Sequence, residues 1–215
     1  VPAGKAIWLE PDDHVETGFL RHSNCGFIAL GGRPALPAPF GSMATSANAS
    51  LGGIEGRLLK DGDKLALDNI SETPPLELEG MDRVFAPKDR MAIVLGPQQS
   101  WFEARALAQF LSAEWRFTSK MSRMGIRLSG PVIPHRHSAD ILSDGIVTGA
   151  IQIPGDGQPI IMMPDHQTTG GYTKIAHIVS CDISAVARLA SARKISFDPI
   201  TQEQAEEMTI AHHQM

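Results

Sequence analysis

The sequence predicts a mainly β protein, a β-rich α+β fold with about three short helices among its strands. Three observations carry that expectation. Its 20 glycines and 15 prolines make up about one residue in six, and both types punctuate turns rather than extend helices. Only 20% of residues are charged, too few to cover several long solvated helix faces. The apolar residues fall mostly in short runs bounded by Gly, Pro, Asn and Asp, the pattern of strands separated by turns. With 215 residues, 42% of them hydrophobic, the chain can bury a core as one domain or two small ones without disulfides or a structural metal.

Residues 6–9 and 26–30 read as strands, the second running into the Gly31-Gly32 turn. Asp61-Gly62 between the apolar flanks of residues 58–65 predicts a hairpin, because a tight two-residue turn needs residues that tolerate positive φ. Residues 69–80 carry Pro74-Pro75 among alternating acids and read as a linker or long loop. That divides the chain into an N-terminal β subdomain over 1–80 and a second β domain over 81–215. Residues 90–96 form a strand ending at the Gly96-Pro97 breaker. A helix is expected behind a capping box of Ser100 and Glu103, with Leu107, Phe110 and Leu111 on its apolar face. Strands resume at Trp115, and strand and turn signals are continuous over 141–179. Asp182 is expected to cap a short helix bearing Ile183, Val186 and Leu189. Thr201 with Gln204 forms a second capping box, and Glu203, Glu206 and Glu207 early with His212 and His213 late suit the helix dipole.

A formal charge of −5 gives no electrostatic footprint for nucleic acid or for an anionic membrane surface. Apolar runs such as residues 160–163 fall far short of the roughly 20 residues that cross a bilayer. Residues 1–25 lack a basic segment followed by an apolar one, so a cytoplasmic protein is expected, with Cys25 and Cys181 as buried thiols rather than a bridge.

The densest cluster of unusual choices is residues 164–172, Pro-Asp-His-Gln-Thr-Thr-Gly-Gly-Tyr. Gly170 and Gly171 let the backbone approach a ligand closely, while Asp165, Gln167, Thr168 and Thr169 supply oriented donors and acceptors for a carbonyl or phosphoryl group. The same string also suits a strand-ending turn in which Thr and Asp satisfy local backbone groups. Arg123 and Arg127 would share a side of an extended segment, where paired guanidinium groups clamp a carboxylate or phosphate or make structural ion pairs. Gln152 interrupts the apolar run 149–153 and either lines a pocket or faces solvent by β alternation. Neither Gly-x-x-x-x-Gly-Lys-Ser/Thr nor Gly-x-Gly-x-x-Gly after a strand occurs, which excludes nucleotide binding by those devices. His135 and His137 share a strand face without a third ligand at metal-site spacing, and the hydroxyl-rich residues 41–46 have no base beside them.

Several strings taken in order carry a family resemblance: residues 41–42, 51–53, 56–57 and 62–63, then Gly96-Pro97-Gln98, Ser119 through Leu128, Ser143-Asp144-Gly145, residues 149–154 and 156–160, and Asp165 through Tyr172. Together they resemble the allophanate hydrolase subunit 2 family, also called KipA or the C subunit of 5-oxoprolinase, over nearly the whole chain. The resemblance implies cyclophilin-like β-barrel modules, the domain over 81–215 being one. It also implies a complex with a KipI-like partner and a possible third catalytic subunit. The implied activity is ATP-dependent hydrolysis of a small cyclic or linear amide, with ATP used by the complex. Its alternatives are the carboxyltransferase part of a urea-carboxylase-like system and a non-catalytic module that antagonises a KipI-like kinase inhibitor. Biotin would come only through a partner, since no Ala-Met-Lys-Met string occurs. On this reading Arg123, Arg127 and Asp165 are the expected catalytic residues, stabilising negative charge and accepting a proton. Gln152, Gln167, Thr168, Thr169, Gly170, Gly171 and Tyr172 are expected to bind substrate. The sequence departs from the family's usual residues at Ser122, His166 and Thr173, and an N-terminal Gln-Asp-x-Gly-Arg segment is expected ahead of Val1, leaving the first subdomain incomplete.

Overall fold

The computed structural model describes residues 5–20, 23–71 and 86–214. The chain forms two compact units, one from Val1–Glu16 with Phe27–Met81 and one from Thr17–Gly26 with Asp82–Met215. Most of the proline-bearing segment expected as a linker lies outside the described residues.

In the first unit β1 (Arg33–Pro34) pairs antiparallel with β2 (Leu67–Asp68). The strands expected at 6–9 and 26–30 do not form, and Ile7, Trp8, Phe27 and Ile28 are exposed. An apolar run becomes a strand only when a neighbour supplies the ladder for its N–H and C=O groups, and none does so here among the described residues. The hairpin expected at 58–65 is also corrected. Its turn is present, with Gly62 at φ 86 and the Asp63 N–H donating to the Lys60 carbonyl at 3.1 Å, yet the flanks stay unpaired. An ion pair takes the place of the ladder: Asp63 accepts Arg57 Nη1 at 2.8 Å, Arg57 Nη2 at 2.9 Å and the Lys60 N–H at 2.8 Å.

The Arg57 hydrogen bonds, followed by the one from Lys60, hold the Asp63 carboxyl down at about 2. A depressed carboxylate stabilises the folded loop above its unfolded pKa of about 3.9, and that contribution is lost as pH falls through the folded value. The loop is therefore expected to keep its native signals down to pH 3 and to lose them near pH 2, followed by carboxyl chemical shifts in an NMR titration. An apparent pKa of Asp63 at the ordinary carboxylate value would contradict this.

The second unit contains β3 (Arg90–Leu95), β4 (Trp115–Met121), β5 (Gly125–Ser129), β6 (Asp140–Gly145), β7 (Ala150–Ile153), β8 (Ile160–Met162), β9 (Thr169–Ile178) and β10 (Lys194–Pro199). Its helices are α1 (Ala104–Ser112), α2 (Ser180–Arg188) and α3 (Gln202–His213). The order β3-β10-β4-β5-β8-β7-β9 returns to β3, because β9 also pairs with β3. Seven strands thus close a barrel, and β6 adds to β9 outside it. All pairings are antiparallel except β3 with β10. The mainly β class, the barrel and the three helices agree with the expectation.

Two-residue alternation, interrupted by register shifts in the β4–β5 and β7–β9 pairings, sends side chains inward. Ile126, Ile161, Ile151 and Ile175 are buried at 3% exposure or less and fill the barrel with Trp115, Phe117 and Phe197. Helix α1 plugs one side with Phe110, whose ring lies 4.9 Å from Phe197 and 5.8 Å from Trp115, while Leu107 and Leu111 pack at the edge of the core. Its start differs from expectation. Ser100 sits in a short 3₁₀ turn (Gln99–Trp101), and Glu103 occupies the N-cap without a side-chain bond. The bridge between Phe102 and His135 keeps the chain extended just ahead of the helix, so burial of Phe110 rather than a cap holds α1 in place.

Asp182 is likewise not a cap. Val179 is the N-cap of α2, and Asp182 is buried in the first turn, where it accepts the Ala92 N–H at 2.8 Å and pairs with Lys88. The second capping box forms as expected, with Thr201 Oγ1 accepting the Gln204 N–H at 3.2 Å and Gln204 Oε1 accepting the Thr201 N–H at 3.0 Å. Cys25 and Cys181 are free thiols, partly rather than fully buried. Among the described residues no helix is long and apolar enough to cross a membrane.

Candidate functional site

The alternation that fills the barrel also builds a row on its outer face. Antiparallel register places Arg127 opposite Ile160, Ile160 opposite Gln152, and Gln152 opposite Lys174, with the inward isoleucines one residue out of phase. Around Arg127, Ile160 and Gln152 lies a hollow of about 490 Å³. Met162 and Gly125 extend its floor, Tyr172 and Gln167 form one wall, and Ser119 through Ser122 with Met124 form the other.

Gln152 is 2% exposed, and its Nε2 has no hydrogen-bond partner. An unpaired buried donor costs about 1–3 kcal/mol, so its retention calls for a reason beyond folding. Gly170 lies directly beneath this amide. A Cβ there would stand 3.1 Å from Gln152 Nε2 and 3.5 Å from Gln167 Nε2, and only 2.5 Å from Ile146 Cδ1. Glycine therefore lets two primary amides gather over one bare stretch of backbone.

Of the residues singled out in the sequence, Arg127, Gln152, Gln167 and Tyr172 line the hollow, and Gly170 underlies it. Thr168, Thr169 and Gly171 are not in its lining; the Thr168 carbonyl instead accepts the Ile146 N–H at 3.0 Å. The two arginines do not clamp one point. Arg123 is in the turn between β4 and β5, flanked by lining residues Ser122 and Met124, and donates from Nε and Nη2 to both oxygens of Asp165 at 2.7 and 2.9 Å. Those bonds hold the Asp165 carboxyl below its ordinary value. A carboxylate with both oxygens engaged and its basicity lowered is a poor proton acceptor, and neither Asp165 nor Arg123 is in the lining of the hollow. Arg127 pairs through Nη2 with Asp156.

Sequence reasoning missed the buried Lys174, which is 2% exposed and donates from Nζ to Asp144 Oδ2 at 2.6 Å and to the Gly145 carbonyl at 3.0 Å. The Lys174 hydrogen bond depresses the Asp144 carboxyl. Asp144 appeared in the sequence only within the string Ser143-Asp144-Gly145. Ser119 and Lys120 likewise appeared only within the string Ser119 through Leu128, and Ser122 only as a departure from the family's usual residue, without a role in binding. His135 is a structural residue: Nε2 lies 2.9 Å from the Ile153 carbonyl and 3.0 Å from Thr173 Oγ1, and burial pushes its pKa down. Among the described residues no three His, Cys, Asp or Glu side chains gather as a metal site would require.

A closed β-barrel with a donor-lined hollow on its outer face is the class that the fold and the geometry define. The chain belongs to the carboxyltransferase-domain family, subdomain A and B, which matches residues 1–199. It is 34% identical over 185 residues to the C subunit of 5-oxoprolinase from Escherichia coli strain K12, a match covering 86% of this chain and 59% of that protein. Urea amidolyase of Lachancea kluyveri is 26% identical over 234 residues, covering 97% of this chain and 13% of that one. Among solved structures, the Kluyveromyces lactis urea carboxylase shares the fold at a TM-score of 0.74 and 24% identity, over 86% of this chain and 18% of that one. The chain thus spans 59% of the length of the Escherichia coli protein and 13% of that of the urea amidolyase.

Proposed function

We propose that this chain is a subunit of an ATP-dependent amidohydrolase of the 5-oxoprolinase type, which receives a small cyclic or linear amide in the hollow over Gly170. The observation that carries the reading is the buried, unpartnered Nε2 of Gln152 in the wall of that hollow. Gln152, Gln167 and Arg127 are all N–H donors, and a substrate carbonyl is the acceptor that such a set lacks. When the C–N bond opens, negative charge develops on that oxygen, and prearranged donors stabilise it more than they stabilise the ground state. The relationship to the 5-oxoprolinase protein of Escherichia coli supports the substrate class. ATP is used by the cytoplasmic complex, which includes a KipI-like partner and a third catalytic subunit.

The family's carboxyltransferase description and the urea amidolyase relative favour one second reading. On it, the same donors polarise urea or a related amide, and a partner's biotin carrier delivers the carboxyl group. Mixing the chain with its KipI-like partner and the third subunit is expected to give ATP hydrolysis that depends on 5-oxoproline. Carboxylation of urea by a biotinylated carrier, with no response to 5-oxoproline, would select the second reading instead.

A further inference from the structure

Among the described residues, Arg127 and Lys120 are the cations in the lining of the hollow, and no carboxylate lines it. The two cations differ in what faces them. Arg127 pairs with Asp156 in the turn between β7 and β8. Arg123 and Lys174, outside the lining, are compensated in the same manner by Asp165 and Asp144. Among the described residues, Lys120 has no carboxylate partner, so its ammonium is the net charge that the hollow presents.

The sheet itself puts that charge there. β4 pairs Phe117 with Leu128 and Met121 with Ile126, which sets residues 118–120 against Arg127 alone. The surplus on β4 is a bulge, and a bulge re-aims side chains that alternation would send to opposite faces. Ser119, Lys120 and Met121 therefore line one hollow in succession. The bulge is pinned to its neighbour: Thr118 Oγ1 accepts the Lys120 N–H at 3.2 Å and donates to the Arg127 carbonyl at 2.8 Å.

We propose that Lys120 is a specificity-determining residue: it binds a carboxylate carried by the amide substrate, so the hollow selects an anionic amide over a neutral one. The inference rests on the reading of the hollow as an amide site and deepens it. Gln152 offers a carbonyl its unpaired Nε2, Ile160 and Met162 offer apolar surface, and Lys120 offers a charge on a flexible stem. A lactam ring that bears a carboxylate, as in 5-oxoproline, has a group for each of the three. Urea has neither the ring carbons nor the charge. One ion pair in a partly wetted site is worth roughly tenfold in affinity.

2-Pyrrolidinone and 5-oxoproline share the lactam ring and differ by the carboxylate, so they read this preference without assuming a reaction. Titrated into the full chain and followed by the NMR signals of the Gln152 side-chain amide, 5-oxoproline is expected to bind about tenfold more tightly. Lys120→Met is expected to remove that advantage and leave the affinity for 2-pyrrolidinone unchanged, while Lys120→Arg retains the advantage. Lys120 is exposed, and its N–H rather than its side chain makes the bond to Thr118, so the substitution spares the bulge. Should the Met variant nevertheless fail to fold, Lys120→Gln reads the same loss. Equal affinities in the wild type, an unchanged ratio in the neutral variants, an equal loss of both ligands, or no response to either would overturn the proposal. If 5-oxoproline still drives ATP hydrolysis in the assembled complex, such a result removes the role of Lys120 alone. A tenfold preference that Lys120→Met abolishes, with no ATP hydrolysis in that complex, would count against the amidohydrolase reading alone.

Discussion

Replacing Gln152 by Met is expected to stabilise the protein while abolishing its action on an amide. The wild-type side chain buries an Nε2 donor with nothing to bond, and such a group raises the free energy of the folded state by about 1–3 kcal/mol. Methionine matches the length of glutamine, adapts to irregular space and would sit in a row with Ile160 and beside Met162. Removing the orphan donor should therefore raise the free energy of unfolding by about 1 kcal/mol, read as a higher urea midpoint at unchanged m-value. In the assembled complex the same change should cost at least about 100-fold in turnover, the scale on which one donor to a developing oxyanion acts. Gain and loss from one substitution are what a site under functional constraint shows. A destabilised Gln152→Met protein that turns over normally would identify Gln152 as a structural residue and leave the hollow without its main donor.

Trp115→Ala carries the largest expected cost to the fold itself. Trp115 is fully buried at the start of β4, and its Nε1 donates to the Phe110 carbonyl in α1 at 3.0 Å. Its ring fills the space over Gly130 so closely that a Cβ there would lie 2.6 Å from Trp115 Cε3. Truncation leaves a cavity beneath α1 and an unbonded carbonyl in the last turn of that helix, together costing about 3–5 kcal/mol. That is a large share of the roughly 5–15 kcal/mol that holds an ordinary domain. Trp115→Phe keeps most of the ring and loses the hydrogen bond, so a cost of about 1–2 kcal/mol separates the bond from the volume. Urea unfolding of both variants measures the two parts, and a truncation costing under about 1 kcal/mol would show that α1 is not held by this contact.

How far the fold was legible follows from the range of the forces involved. The capping box of Thr201 and Gln204 depends on residues three apart and forms as the sequence says. The Ser100 and Glu103 pair has the same spacing, yet a long-range bridge at Phe102 keeps the chain extended there, and the helix starts without it. The apolar runs at 6–9 and 26–30 carry the same local signal as residues 90–95, but only the latter finds neighbours, β10 and β9, to complete its ladder. Gln152 was legible as an exception inside an apolar run, and alternation left it either lining a pocket or facing solvent. It takes the outward direction and is nevertheless covered.

What the sequence by itself determined is the alternation of inward and outward side chains, the mainly β class and the residue types available for binding an amide. Each of these depends on neighbours within a few positions. Only the tertiary structure decided which carboxylate meets which cation. Arg123 reaches Asp165 across 42 positions and Arg127 reaches Asp156 in another turn, so guanidinium groups that local spacing would aim together are each drawn to a separate acid. Strand register fixes those partners, and register is set by hydrogen-bond ladders and by the burial of the whole barrel at once.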